Sequence, residues 1–443
     1  MNKQHIVGAA IGLVILALLM TPLVAAASPS DPDHPLARGP GPAARSEAET
    51  SRVSSELIIS DFDNAQYRPA AAYNWKRHEY LVVWHNYWGS SGPHDIYARR
   101  VNEQGEVLND FVVAHENGHD NAQPDVAYDS VHDRFLVVWM RDVHGDASDW
   151  NIMGRFITGY GPGPGPTSAF PIVTWTSSQW EPKVAYNPVL HDFMVVWLTD
   201  HPSTPIFIDG KRVLEDGTMP AGGSSDFTIF NATSSRTEPD ITYNLARNEY
   251  LVVYSDGAND VFGMRLRSDG HPLGGGEFGI AGWPSPEHMP AVASCWRFDQ
   301  YLVTWRSQKT NGDTAIYARF LHGDGSGASV HLIDDTTSPE INADVACDQD
   351  GAGYLVTWQT RYTNGHYGVW GRVVHPNAHF GPQFPIQHPG SIEDRSRPAI
   401  AGGAVNFLVV WEHDRDGTNF QDIHGRLVTP YVVYQPMTFR RAH

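Results

Sequence analysis

Acidic side chains recur near the start of short apolar segments in this chain of 443 residues. Glu181 and Glu238 each precede a proline, and Asp125 and Asp240 each follow the equivalent proline of their own segment. Two carboxyl groups on either side of a glycosidic bond can act as general acid and general base. These four residues are therefore candidate catalytic groups for glycan cleavage. The alternative is a solvated channel in which acidic and basic side chains compensate one another.

Aromatic and basic residues supply candidates for ligand binding rather than catalysis. An exposed indole can stack on a sugar ring, and an arginine at the same repeated position as the glutamates can bind a polar ligand. The candidates are Trp88, Trp150, Trp180, Trp283, Arg68 and Arg397. For each tryptophan, the alternative is a ring that covers the strand beneath it.

One loop has the spacing of oxygen donors that a hard cation prefers. The segment DRDGTNFQD contains Asp414, Asp416 and Asp422, and its D-x-D-G start is typical of calcium-binding loops. It lacks the third early ligand and the terminal glutamate of the EF-hand pattern. We predict that these residues bind Ca²⁺ as a cofactor. The alternative is that the carboxylates cap turns by accepting hydrogen bonds from their own backbone.

Several common chemistries lack support in the sequence. It contains no G-x-S-x-G, H-E-x-x-H, P-loop or Rossmann glycine motif. The 31 Lys and Arg residues face 50 Asp and Glu, for a net charge of −19. Such an acidic surface would not attract nucleic acid or an anionic membrane.

These candidates are positioned by an internal repeat. A five-residue segment of the type YLVVW recurs seven times, at intervals of 51 to 58 residues. The seven copies end at Trp84, Trp139, Trp197, Tyr254, Trp305, Trp358 and Trp411. Each has a segment like PDVAYD before it and one like IYARRV after it, and a fourth apolar segment follows in the first six copies. Repeats of this period indicate arrays or propellers.

Four short strands in each of seven units predict an all-β fold, a seven-bladed β-propeller of four-stranded antiparallel blades. Apart from a threonine in two copies, the recurring segment is apolar on both alternating faces, as expected of a strand between two neighbouring blades. Its aromatic end residue is predicted to lie in the core. A basic residue recurs in the third strand, and we expect it to pair with acids between blades.

The ends of the repeat predict how the ring closes. The segment ELIIS, residues 56–60, resembles a fourth strand that has no blade of its own, so we expect the N-terminal segment to complete the last blade. YVVY, residues 431–434, competes for that place. In this topology, the long loops between strands two and three and the connections between blades lie at one end of the ring. That end is the expected location of a site.

The repeats resemble those of exported bacterial and archaeal seven-bladed β-propeller proteins, most of which have no assigned activity. The resemblance rests on YLVVW, DIYARRV and VAYN and covers residues 56–430. It implies the fold but carries over no catalytic residue, because propellers include lectins, lyases, hydrolases and scaffolds.

The N-terminus predicts export. Lys3, an apolar run over residues 6–20 and small residues before position 28 form a signal peptide, residues 1–27, with an uncleaved membrane anchor as the alternative. A Pro-, Ala- and Ser-rich spacer follows at 28–50, then the propeller at 51–435 and a tail at 436–443.

Export sets the expected location, partner and function. We expect a secreted or cell-surface scaffold that binds an extracellular glycan or protein. A polysaccharide hydrolase or lyase is the alternative. The two cysteines, Cys295 and Cys347, suit a disulfide between neighbouring blades, although their register leaves this open.

Overall fold

The computed structural model describes residues 51–89, 93–200, 205–220, 226–230, 234–309, 312–334, 338–388, 394–414 and 420–430. In these residues the chain forms 29 β-strands and one short 3₁₀ helix, Trp296–Phe298. No helix in this part of the chain is long and apolar enough to span a membrane. The predicted signal peptide, spacer and tail, together with the segment YVVY, lie outside it.

Two N-terminal strands precede six complete blades of four strands. They are β1 (Arg52–Val53) and β2 (Leu57–Ser60). The first blade contains β3 (Ala65–Asn74), β4 (Glu79–Tyr87), β5 (His94–Asn102) and β6 (Val107–Ala114). The second contains β7 (Asn121–Asp129), β8 (Arg134–Asp142), β9 (Trp150–Thr158) and β10 (Phe170–Val173). The third contains β11 (Gln179–Asn187), β12 (Asp192–Thr199), β13 (Phe207–Val213) and β14 (Asp226–Phe230).

The remaining blades follow the same pattern. The fourth contains β15 (Arg236–Asn244), β16 (Glu249–Asp256), β17 (Val261–Arg267) and β18 (Phe278–Ala281). The fifth contains β19 (Glu287–Cys295), β20 (Gln300–Gln308), β21 (Thr314–His322) and β22 (Gly327–Asp334). The sixth contains β23 (Glu340–Cys347), β24 (Tyr354–Arg361), β25 (Tyr367–Val374) and β26 (Phe380–Gln387). The seventh contains β27 (Arg395–Gly402), β28 (Phe407–Asp414) and β29 (Gln421–Thr429).

The strands of each blade pair antiparallel in sequence order, and the seven sheets form a closed ring. The innermost strands contact one another in the circular order β3, β7, β11, β15, β19, β23, β27 and back to β3. The seven-bladed propeller predicted from the repeat is therefore confirmed.

The N-terminal segment closes the ring, as the sequence predicted. β1 and β2 both pair antiparallel with β29 and form the outer edge of the seventh blade. Leu57 lies opposite Gly425, and Ile58 lies opposite His424. The first residues of the fold and its last strand thus share one sheet.

The hydrophobic core is divided into seven clusters, one between each pair of neighbouring blades. Trp197, for example, is fully buried and packs with residues of the second blade, such as Leu136 and Ile152. The second strands are apolar on both faces because each face meets a different neighbouring blade. The aromatic residue that ends each repeat is buried, as predicted.

The basic residues of the third strands correct one expectation. Five of them link the blades by donating to backbone carbonyls of the preceding blade, where acids were the expected partners: Arg99, Arg155, Lys211, Arg319 and Arg372. Arg155 Nη1 donates to the carbonyl of Val113 at 2.6 Å, and Lys211 Nζ donates to that of Ile172 at 2.9 Å. Val113 and Ile172 each lie at a bulge in the outer strand of the preceding blade. A bulge leaves a carbonyl without its ladder partner, and the basic side chain satisfies it.

The two cysteines form a disulfide, which answers the question that the sequence left open. Cys295 ends the inner strand of the fifth blade, and Cys347 ends that of the sixth. Their Cα atoms are 5.6 Å apart. The bond therefore joins two neighbouring blades.

Candidate functional site

A channel runs along the axis of the ring, between the seven inner strands. One strained residue from each blade surrounds its opening, which we call the mouth. Every inner strand has a register shift near its start, and the residue at the shift has a positive φ between 47° and 56°. These residues are Arg68, Gln123, Glu181, Glu238, Met289, Asn342 and Arg397. Left-handed conformations of non-glycine residues cost on the order of 1–3 kcal/mol each and cluster at functional sites. The bulges direct seven side chains toward one opening.

Side chains from the preceding blade hold several of these bulges in place. Glu412 Oε1 accepts the backbone N–H of Arg68 at 2.9 Å. Gln359 Oε1 accepts the N–H of Arg397 at the same distance. A backbone N–H that the bulge removes from the strand ladder is satisfied in this way. The polar ring at the mouth is thus part of the contact between blades.

The predicted catalytic residues Glu181 and Glu238 lie on neighbouring blades at this mouth. Glu238 Oε2 accepts the N–H of Met289 at 2.7 Å and the hydroxyl of Ser255 at 3.0 Å. Burial raises the pKa of Glu181, Arg68 and Lys183 oppose this change, and the charge of Glu238 adds to it. Glu181 and Glu238 therefore lie together at the mouth. Glu238 also forms a hydrogen bond that joins the fourth blade to the fifth.

The other two predicted catalytic residues lie one level deeper in the channel. Asp125 and Asp240, with Asp344, occur in alternate blades at the same position of the inner strand. Each carboxylate accepts a backbone N–H from the next blade. The donors are Val184 at 2.8 Å, Val292 at 2.8 Å and Ile400 at 3.0 Å. These aspartates therefore fasten neighbouring inner strands to each other.

Lys183 is the cation among these three aspartates. Burial lowers its pKa, but the charges of Asp125, Asp240 and Asp344 outweigh burial and raise it overall. Burial also raises the pKa of Asp240 to about 6. It raises that of Asp344 to about 7, and the charge of Asp240 adds to this shift. One lysine does not fully compensate three carboxylates in a desolvated ring.

The three buried aspartates around Lys183 predict a specific pH dependence of stability. The folded pKa of Asp344, about 7, lies above the ordinary aspartate value of about 3.9, so folding favours the protonated acid. The unfolding free energy should therefore fall as pH rises from about 4 to about 7, by about 4 kcal/mol. Urea denaturation across this range measures the effect. Asp344→Asn should reduce the slope, and an unchanged slope would contradict this assignment.

Two predicted arginines and two predicted glutamates line different sides of a cavity of about 520 Å³ at the mouth. Arg68 and Arg397 lie on the first and seventh blades, whereas Glu181 and Glu238 lie on the third and fourth. Arg397 Nη1 is 3.3 Å from Glu412 Oε1, the atom that also accepts the N–H of Arg68. The two predicted arginines thus share one carboxylate. The cavity can orient a polar ligand that has both donors and acceptors.

Two of the predicted tryptophans are partly exposed. Trp88 is 42% exposed, and its Nε1 donates to Asp95 Oδ2 at 2.7 Å. Trp283 is 38% exposed and packs edge-on against Tyr317, with 4.7 Å between ring centroids. Both rings are held in a fixed orientation while one part remains accessible. That arrangement suits stacking on a flat apolar ligand surface.

The other two predicted tryptophans are largely covered. Trp150 packs against the core between the second and third blades, and its Nε1 donates to the carbonyl of Ala147 at 3.2 Å. Trp180 packs against two core clusters, on both sides of the third blade. The four tryptophans lie in different blades or blade connections. They are not gathered at one point.

The predicted calcium residues are only partly described. Asp414 ends β28 and Asp422 lies near the start of β29, and both are buried. Asp416 lies outside the described residues, so calcium binding stays a prediction.

On the same two strands, His413 and His424 meet Glu56, a group that the sequence analysis missed. The predicted closure by residues 56–60 was the one signal that brings Glu56 near those strands.

Comparisons with known proteins support the fold and leave the activity open. No protein-family model matches the sequence, and no curated protein matches it significantly. The structure is similar to BP39L lectin from Burkholderia pseudomallei, with a TM-score of 0.56 and 13% identity over 84% of this chain and 97% of the lectin. This likeness concerns the propeller fold.

Two further similarities are more distant. An α-L-arabinanase from Penicillium chrysogenum matches with a TM-score of 0.48 and 11% identity, over 86% of this chain and 98% of that structure. A prolyl endopeptidase structure matches with a TM-score of 0.45 and 13% identity over 85% of this chain. The chain spans 51% of the endopeptidase's length.

Proposed function

We propose that this chain is an exported glycan-binding β-propeller whose ligand surface is the end of the ring that carries the long loops. The observation that carries the proposal is the hydrogen bonding of the acids at the channel. Asp125, Asp240 and Glu238 each accept a backbone N–H of the next blade. Carboxylates held in this way maintain the frame and are poorly placed to exchange protons with a substrate.

The end of the ring that carries the long loops, which we call the rim, and the channel mouth together supply what a glycan binder needs. Trp88 and Trp283 each present an accessible indole. Arg68 and Arg397 supply donors at the mouth, and Glu181 supplies an acceptor opposite them. Sugars combine apolar ring faces with hydroxyl groups, so they match aromatic surfaces flanked by polar side chains. The fold is also compatible with this role, since a lectin shares it.

The test is a glycan array with the purified chain, followed by affinity measurements on any glycan that binds. Trp283→Ala and Trp88→Ala should each weaken binding by on the order of tenfold, which corresponds to about 1.4 kcal/mol. Phe298→Ala is the matched control, because Phe298 is 45% exposed but lies in the turn after an inner strand, at the opposite end of the ring. It should leave binding unchanged.

A degradation assay on the same polysaccharides separates binding from catalysis. The proposal expects no release of reducing ends. Release that Glu181→Gln or Glu238→Gln abolishes would instead assign a glycan-cleaving enzyme, with its acids at the channel mouth. Equal loss of binding in Trp283→Ala and Phe298→Ala would show that the rim is not the ligand surface.

A further inference from the structure

Three side chains from distant parts of the sequence meet where the ring closes. Glu56 precedes β2, whereas His413 and His424 lie on β28 and β29 of the seventh blade. His424 Nδ1 donates to Glu56 Oε1 at 2.8 Å, and His413 Nδ1 lies 3.6 Å from the same oxygen. A set of three potential ligand atoms, one from each residue, lies within 4.8 Å of one another.

The two histidines are buried and closely packed. Their exposed fractions are 6% for His413 and 9% for His424, and their rings stack with centroids 4.0 Å apart. His413 Nδ1 has no hydrogen-bond partner among the described residues. Its 3.6 Å distance to Glu56 Oε1 is longer than a hydrogen bond, and a buried ring nitrogen that makes no hydrogen bond is costly unless something else binds it. It points at the same carboxylate oxygen as its neighbour.

We propose that Glu56, His413 and His424 bind one divalent transition-metal ion, with Zn²⁺ as the best-suited ion. Imidazole nitrogen and carboxylate oxygen are the donors that Zn²⁺ accepts, whereas Ca²⁺ and Mg²⁺ prefer oxygen alone. Zinc bonds of about 2.0–2.1 Å in a tetrahedron place ligand atoms roughly 3.3 Å apart. The observed separations of 2.8 and 3.6 Å lie on either side of that value.

The position of this site gives the ion a structural role. The N-terminal strand pairs with β29 over only a few residues, so its attachment depends on few ladder bonds. Gln387 of the sixth blade also donates to Glu56, from Nε2 to Oε2 at 3.4 Å. An ion bound here links the N-terminal segment to both central strands of the seventh blade. It fastens the ring at the point where the chain ends meet.

In the experiment, the metal-free chain is titrated with Zn²⁺ and binding is measured by calorimetry. Thermal unfolding is then compared with and without Zn²⁺. One ion should bind per chain, and Zn²⁺ should raise the melting temperature of the native chain by a few degrees but leave that of Glu56→Gln unchanged. Co²⁺ should give the visible absorption of a four-coordinate site. Glu56→Gln and His424→Gln should each weaken Zn²⁺ binding by about a hundredfold or more.

The matched control is His379→Gln. His375 and His379 form another pair of neighbouring rings, with centroids 5.4 Å apart, in the turn before β26. This variant should bind Zn²⁺ as the native chain does. Circular dichroism verifies that every variant is folded. The absence of stoichiometric binding, or equal binding by the native chain and His424→Gln, would overturn the proposal, and so would loss of binding in His379→Gln.

Discussion

Replacing Trp197 by alanine should lower the free energy of unfolding by about 3–5 kcal/mol. Trp197 is fully buried in the cluster between the second and third blades, and its Nε1 donates to Thr199 Oγ1 at 3.1 Å. Alanine would remove the apolar contact area and leave a cavity that two rigid sheets cannot fill. Guanidinium denaturation of both proteins measures the difference.

Trp88→Ala provides the matched control for this loss. The same residue type is removed, but Trp88 is 42% exposed on the rim, so we expect a change of less than about 1 kcal/mol. Trp197→Phe should recover part of the stability, because it restores much of the lost volume. Equal effects of Trp197→Ala and Trp88→Ala would contradict the assignment of Trp197 to the core between blades.

Removing the disulfide should have an effect of similar size. Cys295 and Cys347 are separated by 52 residues in the sequence. Closing a loop of that length in the unfolded chain is worth about 4 kcal/mol in the chain-entropy model. The variant Cys295→Ala/Cys347→Ala should therefore unfold at a clearly lower guanidinium concentration than the native chain. The loss arises mainly because the unfolded chain gains freedom.

Reduction separates the bond from the substitutions. Dithiothreitol should lower the stability of the native chain toward that of the double variant and should leave the double variant unchanged. A native chain whose midpoint does not move after complete reduction, verified by thiol titration, would show that the bond contributes little. The fifth and sixth blades would then be held together by their hydrophobic cluster alone.

Much of the fold could be predicted because its signals are local. The alternation within a strand and the spacing between repeats are properties of short segments, and seven copies average out the exceptions, such as Tyr254 in place of tryptophan. Closure by the N-terminal strand followed from counting strands. Burial of the repeated aromatic residue followed from its position in a strand that is apolar on both faces.

The candidate site was predicted only in part. The sequence placed Glu181, Glu238, Arg68 and Arg397 around one opening, and all four line the cavity at the channel mouth. It did not show that Glu238 would accept the N–H of Met289, because that contact joins residues 51 positions apart on neighbouring blades. The bulges that direct these side chains also have no glycine to mark them.

The arginines of the third strands show why the other contacts escaped prediction. Opposite charges in a sequence suggest ion pairs, but Arg155 donates instead to the carbonyl that a bulge leaves free at Val113. Bulges depend on how two sheets fit together, and such information is absent from a single repeat. The meeting of Glu56 with His413 and His424 likewise requires the ring to close.

By itself the sequence determined the number of blades, the order of strands in each blade and the residues of the core. These features follow from periodicity, because apolar residues at regular spacing have few ways to be buried. Only the tertiary structure decided which polar groups meet across neighbouring blades. The physical reason is that a hydrogen bond or a metal site needs atoms placed within a few tenths of an ångström. That placement depends on bulges, side-chain direction and closure of the whole ring.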